Sequence, residues 1–182
     1  EKAFDVVLTR RTDEFIPLEE RTAIANRAAA DMFISIHANS SPQPATRGIE
    51  TYFLDFAANP QAEAVAAREN ASSAKTMRLL PELVKAITLN NKLDESRELA
   101  RAVQTSLVRR IAGPNRAIKD LGVKRAPFVV LIGAQMPSVL AEISFLTNRS
   151  DAGLLKQATY RQRIAQALFD AVQKYRGSLK QV

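Results

Sequence analysis

The 182-residue sequence has no cysteine, no tryptophan, a single histidine at position 37 and only six glycines. Without cysteine the chain can form no disulfide, bind no metal through thiolate and use no cysteine nucleophile. It has no glycine-rich phosphate loop, no G-x-S-x-G elbow and no H-E-x-x-H pair, so nucleotide binding, serine hydrolysis and thermolysin-type chemistry have no motif to rest on. No run approaches the roughly 18 consecutive apolar residues that span a membrane. The N-terminal residues also lack the basic-then-apolar pattern of a secretory signal, although a signal could precede Glu1. Aromatic residues make up 6% and do not interleave with basic pairs as stacking platforms for single-stranded nucleic acid do.

What is present is ordinary for a globular protein: 46% hydrophobic and 25% charged residues, with no Pro/Gly/Ser-rich linker. One domain over residues 1–182 is expected. Lys and Arg number 26 against 19 Asp and Glu, a net charge of +7, which suits an anionic partner such as cell-wall polymer, a membrane surface or nucleic acid. The excess is spread over pairs, Arg10-Arg11, Arg109-Arg110 and Lys124-Arg125, and forms no basic tail.

The chain opens abruptly on Phe4-Asp5-Val6-Val7-Leu8, an apolar run that predicts a strand covered on both faces. Pro17 and the acids Glu19 and Glu20 mark a helix start, and a helix over 17–30 would return the chain to a strand at 32–36, making a β-α-β unit. A polar loop over 37–47 precedes a third strand at 48–54. Residues 60–111 hold no glycine and predict two or three helices, ended by Gly113-Pro114. Phe128–Ile132 and Ser138–Ile143 read as two more strands, too close in sequence for a parallel crossover, and residues 158–176 as a C-terminal amphipathic helix. The fold class is therefore α/β, three layers α-β-α around a mixed, mostly parallel sheet.

His37 lies where the strand-like run Met32–Ile36 breaks into polar sequence, a place where a sheet fixes a residue and a loop exposes it. Its imidazole can bind a metal or move a proton, or serve as a hydrogen-bonded structural group. Glu142 is a carboxylate in the otherwise apolar run Val139–Ile143, which is costly unless it is paired, protonated or ligated. Together the two suggest metal-assisted hydrolysis with a carboxylate base. A catalytic zinc normally takes three protein ligands, so two carboxylates would be needed beside one histidine. Glu50 and Asp55 near the third strand read instead as a solvent-facing acid and a turn former.

The blocks Asp5–Arg10, Pro17–Asn26 and Phe33-Ile34-Ser35-Ile36-His37-Ala38-Asn39, followed by Met136–Asn148 with its P-S-V-L-A-E-I-S-F-L-T-N pattern, closely resemble the zinc-dependent N-acetylmuramoyl-L-alanine amidases of bacteria. The resemblance implies an α/β/α domain that hydrolyses the amide between the lactyl group of N-acetylmuramic acid and the first L-alanine of the stem peptide. It implies Zn2+ held by two histidines and a glutamate, with a further glutamate essential for catalysis. By motif, His37 is the later histidine ligand and Glu142 the catalytic glutamate, with Asn39 a candidate for positioning substrate. Family members place a strand ending in a glycine-flanked histidine, then a glutamate opening a long helix, ahead of the equivalent of Phe4–Arg10. Glu1-Lys2 echoes the start of that helix, but Ala3 alone separates it from the run at Phe4. On this resemblance the domain is N-terminally incomplete and Glu1 is not assigned as a ligand; such a chain would bind metal poorly.

The resemblance also marks residues 58–92 as a regulatory helical insertion that blocks the zinc cleft until a coiled-coil divisome activator draws it away, with Glu63 or Glu69 capping the metal. Peptidoglycan is the implied substrate, and the periplasm or cell envelope the implied location, with no nucleic acid partner and no membrane span. The competing reading is a metal-free wall-binding or regulatory domain of amidase fold. A basic nucleic-acid-binding domain is a third class, and it would show steeply salt-sensitive DNA affinity.

Overall fold

Ser138–Phe145 is an apolar run with one carboxylate in it, and a strand so composed has to lie inside a sheet with both faces covered. In the computed structural model, which describes residues 4–73, 84–85, 87–89 and 91–179, it is an interior strand of a four-stranded sheet, buried at every position but Ile143. The elements follow in the order α1 (Leu18–Arg27), β1 (Phe33–Asn39), β2 (Ile49–Leu54), α2 (Pro60–Asn70), α3 (Leu93–Leu107), β3 (Asp120–Ala126), β4 (Ser138–Phe145), α4 (Arg149–Leu155) and α5 (Ala158–Leu179). A π turn at Val108–Ala112 extends α3, and a 3-10 turn at Val129–Leu131 precedes β4.

The sheet order is β1-β4-β2-β3. β4 runs parallel to β1 and antiparallel to β2, and β2 runs parallel to β3, so the sheet is mixed and mostly parallel as expected. Alternation along the strands divides the core in two. Ile49, Phe53, Val139 and Ala141 face α3 and α5, meeting Leu99, Val103, Leu107, Ile164, Ala167 and Ala171. Tyr52, Leu54, Leu140 and Phe33 face α1, α2 and the 3-10 turn, meeting Leu18, Ala25, Val65, Phe128 and Leu131. Those are the three layers.

Local sequence explains the closer fits. Asn59 caps α2 by accepting from the Ala62 amide at 2.9 Å, with Pro60 in the first turn. Asn148 caps α4 by accepting from the amides of Ser150 and Asp151. Gly48, at φ 150, lets β2 begin hard against β3, since a Cβ there would lie 2.6 Å from the Lys119 carbonyl oxygen.

Two expectations are corrected. Residues 4–8 form no strand: Val6 is 66% exposed, Val7 and Leu8 are exposed too, and the β-α-β unit they were to begin is absent among the described residues. β propensity marks a segment that would fit a sheet, but a strand also needs a ladder partner, and Phe4 instead packs edge-on to Phe169 of α5 at 5.5 Å with Arg176 over its ring. Phe128–Ile132 is equally apolar yet forms the 3-10 turn. Pro127 precedes it and Gly133, at φ 78, ends it, while Asn70 takes the Val129 amide and Thr22 donates to the Val130 carbonyl, so no ladder is needed to satisfy this buried backbone. β3, Asp-Leu-Gly-Val-Lys-Arg-Ala, has no strand signal in its sequence: it carries glycine and two cations, yet it is an edge strand, where such residues are tolerated.

Gln104 of α3 ties the helical layer to the sheet, accepting from Thr51 Oγ1 at 2.8 Å and donating to the Ile49 carbonyl and to Asp120 Oδ1. Replacing it with leucine leaves those buried groups unpaired. Urea unfolding of Gln104→Leu should show a loss of about 1–3 kcal/mol, and an unchanged midpoint would mean that water repairs the contacts.

Candidate active site

The parallel pairing of β1 with β4 sets His37 directly opposite Glu142, and the antiparallel pairing of β4 with β2 sets Glu50 on the other side of Glu142. Register partners share a face, so His37, Glu142 and Glu50 form one row across three strands, on the face covered by α2. Sequence analysis brought together the first two. Glu50, expected as a solvent-facing acid, is 2% exposed. Two donors from the strands on either side explain why: Lys124 of β3 donates to Glu50 Oε2 at 2.5 Å, and Asn39 of β1 donates to Oε1 at 2.7 Å. Asp55 behaves as the turn former expected of it, accepting from the Phe56 amide and from Arg125.

α2 places two more groups over the row. Glu69 Oε2 lies 2.5 Å from His37 Nδ1, and Arg68 donates to the Ser40 carbonyl oxygen at 3.0 Å. The other acid named from the insertion, Glu63, is exposed in the first turn of α2 and stands outside the cluster. Part of that insertion, residues 74–83, 86 and 90, lies outside the described residues. Asn39 is buried, and both ends of its amide are spent on Glu50 and on the Ser40 amide, so it is not open to substrate. Sequence reasoning missed Lys124, because in sequence it is one of a basic pair, Lys124-Arg125, in an unrecognised edge strand.

His37, Glu69 and Glu142 offer ligand atoms that all lie within 4.8 Å of one another. His37 Nε2 and both oxygens of Glu142 are buried without a hydrogen-bond partner. Buried polar groups are normally paired, so the orphaned imidazole nitrogen suits a divalent zinc ion, and the bare carboxylate oxygens beside it suit a partner for water bound to such an ion. Burial, reinforced by the charges of Glu69 and Glu50 and opposed by Arg68, pushes the Glu142 carboxyl up to about 9. Burial and the Glu50 charge likewise hold the Tyr52 phenol above its ordinary value.

Residues 1–174 match the protein family described as N-acetylmuramoyl-L-alanine amidase. The chain belongs to this amidase family. It is 34% identical over 169 residues to the amidase LytC of Bacillus subtilis, an alignment covering 93% of this chain and 26% of LytC. It is 32% identical to the amidase AmiA of Escherichia coli, covering 94% of this chain and 61% of AmiA. Among solved structures, the amidase AmiC2 of Nostoc punctiforme superposes with a TM-score of 0.64 at 29% identity, over 93% of this chain and 71% of that one. The chain thus spans about a quarter of LytC and about three fifths of AmiA.

The buried carboxyl has a measurable consequence in metal-free protein. The Glu142 carboxyl titrates at an ordinary 4.5 when unfolded and at about 9 when folded, so between those values the native state holds a proton that the unfolded state releases. Stability should therefore fall as pH rises from 5 to 8.5, by up to about 1.4 kcal/mol per pH unit. Urea unfolding in the presence of chelator measures the slope, and Glu142→Gln should flatten it.

Proposed function

We propose that the chain carries the catalytic site of a peptidoglycan amidase, which cleaves the amide between N-acetylmuramic acid and the L-alanine of the stem peptide. The observation that supports this best is the pairing of His37 and Glu142, a buried imidazole nitrogen and a buried carboxylate with no partners, on adjacent parallel strands in a chain of the amidase family. His37 would serve as a Zn2+ ligand through its unpartnered Nε2. Bound there, zinc would polarise the scissile carbonyl and acidify its water.

The rest is work for the chain's own side chains. Glu142 accepts the proton of the attacking water and returns it to the leaving amine. Its burial makes it a strong base, and a cation nearby would favour its ionised form, so this role belongs to the loaded site. Apolar neighbours such as Tyr52 and Leu140 on the same face limit access of bulk water. A cell-envelope location, the periplasm where there is an outer membrane, is where such a substrate is found. Within the described residues no helix is long and apolar enough to cross a membrane.

α2, inside the 58–92 segment, fits the role of a cover. Glu69 sits against His37 and would cap the metal, filling the position that a catalytic water needs. Arg68 and Asn70 fasten the same turn to Ser40, Pro127 and Val129. A coiled-coil activator that drew this helix aside would open the site.

Zinc content and release of stem peptide from purified peptidoglycan, measured on the full chain, test the assignment. His37→Ala should lose zinc and activity, while Glu142→Gln should keep zinc and lose about 10²–10⁴-fold in rate. No zinc in the wild type would favour the metal-free wall-binding alternative. For the cover, Glu69→Ala should raise basal hydrolysis several-fold with zinc retained, and Glu63→Ala should change nothing. Loss of zinc in Glu69→Ala would make Glu69 an essential ligand and end its role as a cover.

A further inference from the structure

One line of polar contacts crosses the whole sheet beside the site. Lys124 on β3 donates to Glu50 on β2, and Asn39 on β1 donates to the other oxygen of Glu50. β1 and β2 are not neighbours, because β4 runs between them. Adjacent strands lie about 4.8 Å apart, so the Asn39–Glu50 hydrogen bond passes over β4 and ties its two flanking strands together. It does so next to Glu142, the register partner of both Glu50 and His37.

The position of Asn39 is set from several directions. Its Oδ1 accepts from the Ser40 amide at 2.7 Å, which leaves Nδ2 to face Glu50. Its backbone oxygen accepts from the Leu146 amide at 2.7 Å. Between His37 and Asn39 the ladder slips: His37 faces Glu142 but Asn39 faces Phe145, so β4 bulges directly after Glu142. Bulges beside active sites re-aim side chains. One side of this bulge is held by Asn39, and Asn39 is held by Glu50.

The arrangement is expensive for a purely structural device. Two carboxylates face each other across β4 and β2, an opposition that destabilises a sheet, and buried Glu50 has to be accompanied by a half-buried lysine. We propose that Asn39, Glu50 and Lys124 are positioning residues: the Asn39–Glu50 hydrogen bond clamps β1 and β2 across β4, holds the bulge, and thereby sets the placement of His37 and Glu142 for Zn2+. Lys124 keeps Glu50 as the charge-balanced acceptor. The inference rests on the reading of His37 as a zinc ligand.

The test compares Zn2+ affinities of the full chain, by competition with a chromogenic chelator, with melting temperatures taken in parallel. The double variant Glu50→Gln with Lys124→Met removes both charges but keeps an acceptor oxygen for Asn39, and its affinity should stay within about threefold of wild type. Glu50→Leu with Lys124→Met removes the acceptor and should weaken Zn2+ binding about 10–100-fold, as should Asn39→Ala. Apolar replacement of a buried ion pair is commonly tolerated by a fold, so the two double variants decide the matter even if Asn39→Ala does not fold. Equal, near-wild-type affinities in both would make the network merely structural, and equal losses in both would make charge the agent; either overturns the proposal. A wild type that binds no Zn2+ overturns it together with the metal reading. A wild type that binds Zn2+ without hydrolysing peptidoglycan counts against the amidase reading only, and the affinities still judge the clamp.

Discussion

Glu142 is fully buried in the central strand, with both carboxylate oxygens unpaired, and a group so placed costs several kcal/mol unless something offsets it. Much of the surrounding structure is arranged around that cost. β4 can carry a carboxylate because its other residues, Val139, Leu140 and Ala141, are fully buried among both helical layers and hold the strand in place. The neighbouring acid, Glu50, is neutralised by Lys124 and does not add an unpaired charge of its own. Protonation is the remaining escape, and the raised carboxyl is its signature.

The two helical layers are unequal in what they do. α3 and α5 pack on the far face through Leu99, Val103, Ile164 and Ala171, an apolar contact reinforced by Gln104. α1 and α2 pack on the site face with small residues, Ala25, Ala62 and Ala66, and reach it with polar ones. Thr22, Asn26 and Asn70 of these helices hold the irregular 127–135 segment by its backbone, and that segment leads straight into β4. The approach to Glu142 is therefore secured by side-chain hydrogen bonds where a regular sheet would have used a ladder.

Legibility in the sequence followed the range of the interactions involved. α5 and β4 were readable because their apolar patterns are sustained and their partners lie on either face whatever the topology. Phe4–Leu8 and Phe128–Ile132 have the same composition as true strands and form none, because ladder formation depends on neighbours that composition does not name. β3 was missed for the opposite reason, a polar edge strand that borrows its regularity from β2. In the site, His37 and Glu142 stood out as single anomalies in apolar runs. Glu50 and Lys124 did not, since their meaning lies in a contact between residues 74 positions apart.

Glu69 sharpens what such a site requires. Its contact with His37 Nδ1 satisfies one ring nitrogen, holds the ring in one orientation and leaves Nε2 bare. The same contact brings α2 down over the row, with Arg68 bonded to Ser40 just past β1. Orientation of the ring and cover over this row of side chains thus come from one helix. A helix that served only as scaffold would bury Ala62, Val65 and Ala66 and end in solvent; α2 buries those residues and ends on the imidazole instead. Adjacent residues of one turn make the Glu69 and Arg68 contacts, so the two hold or break together.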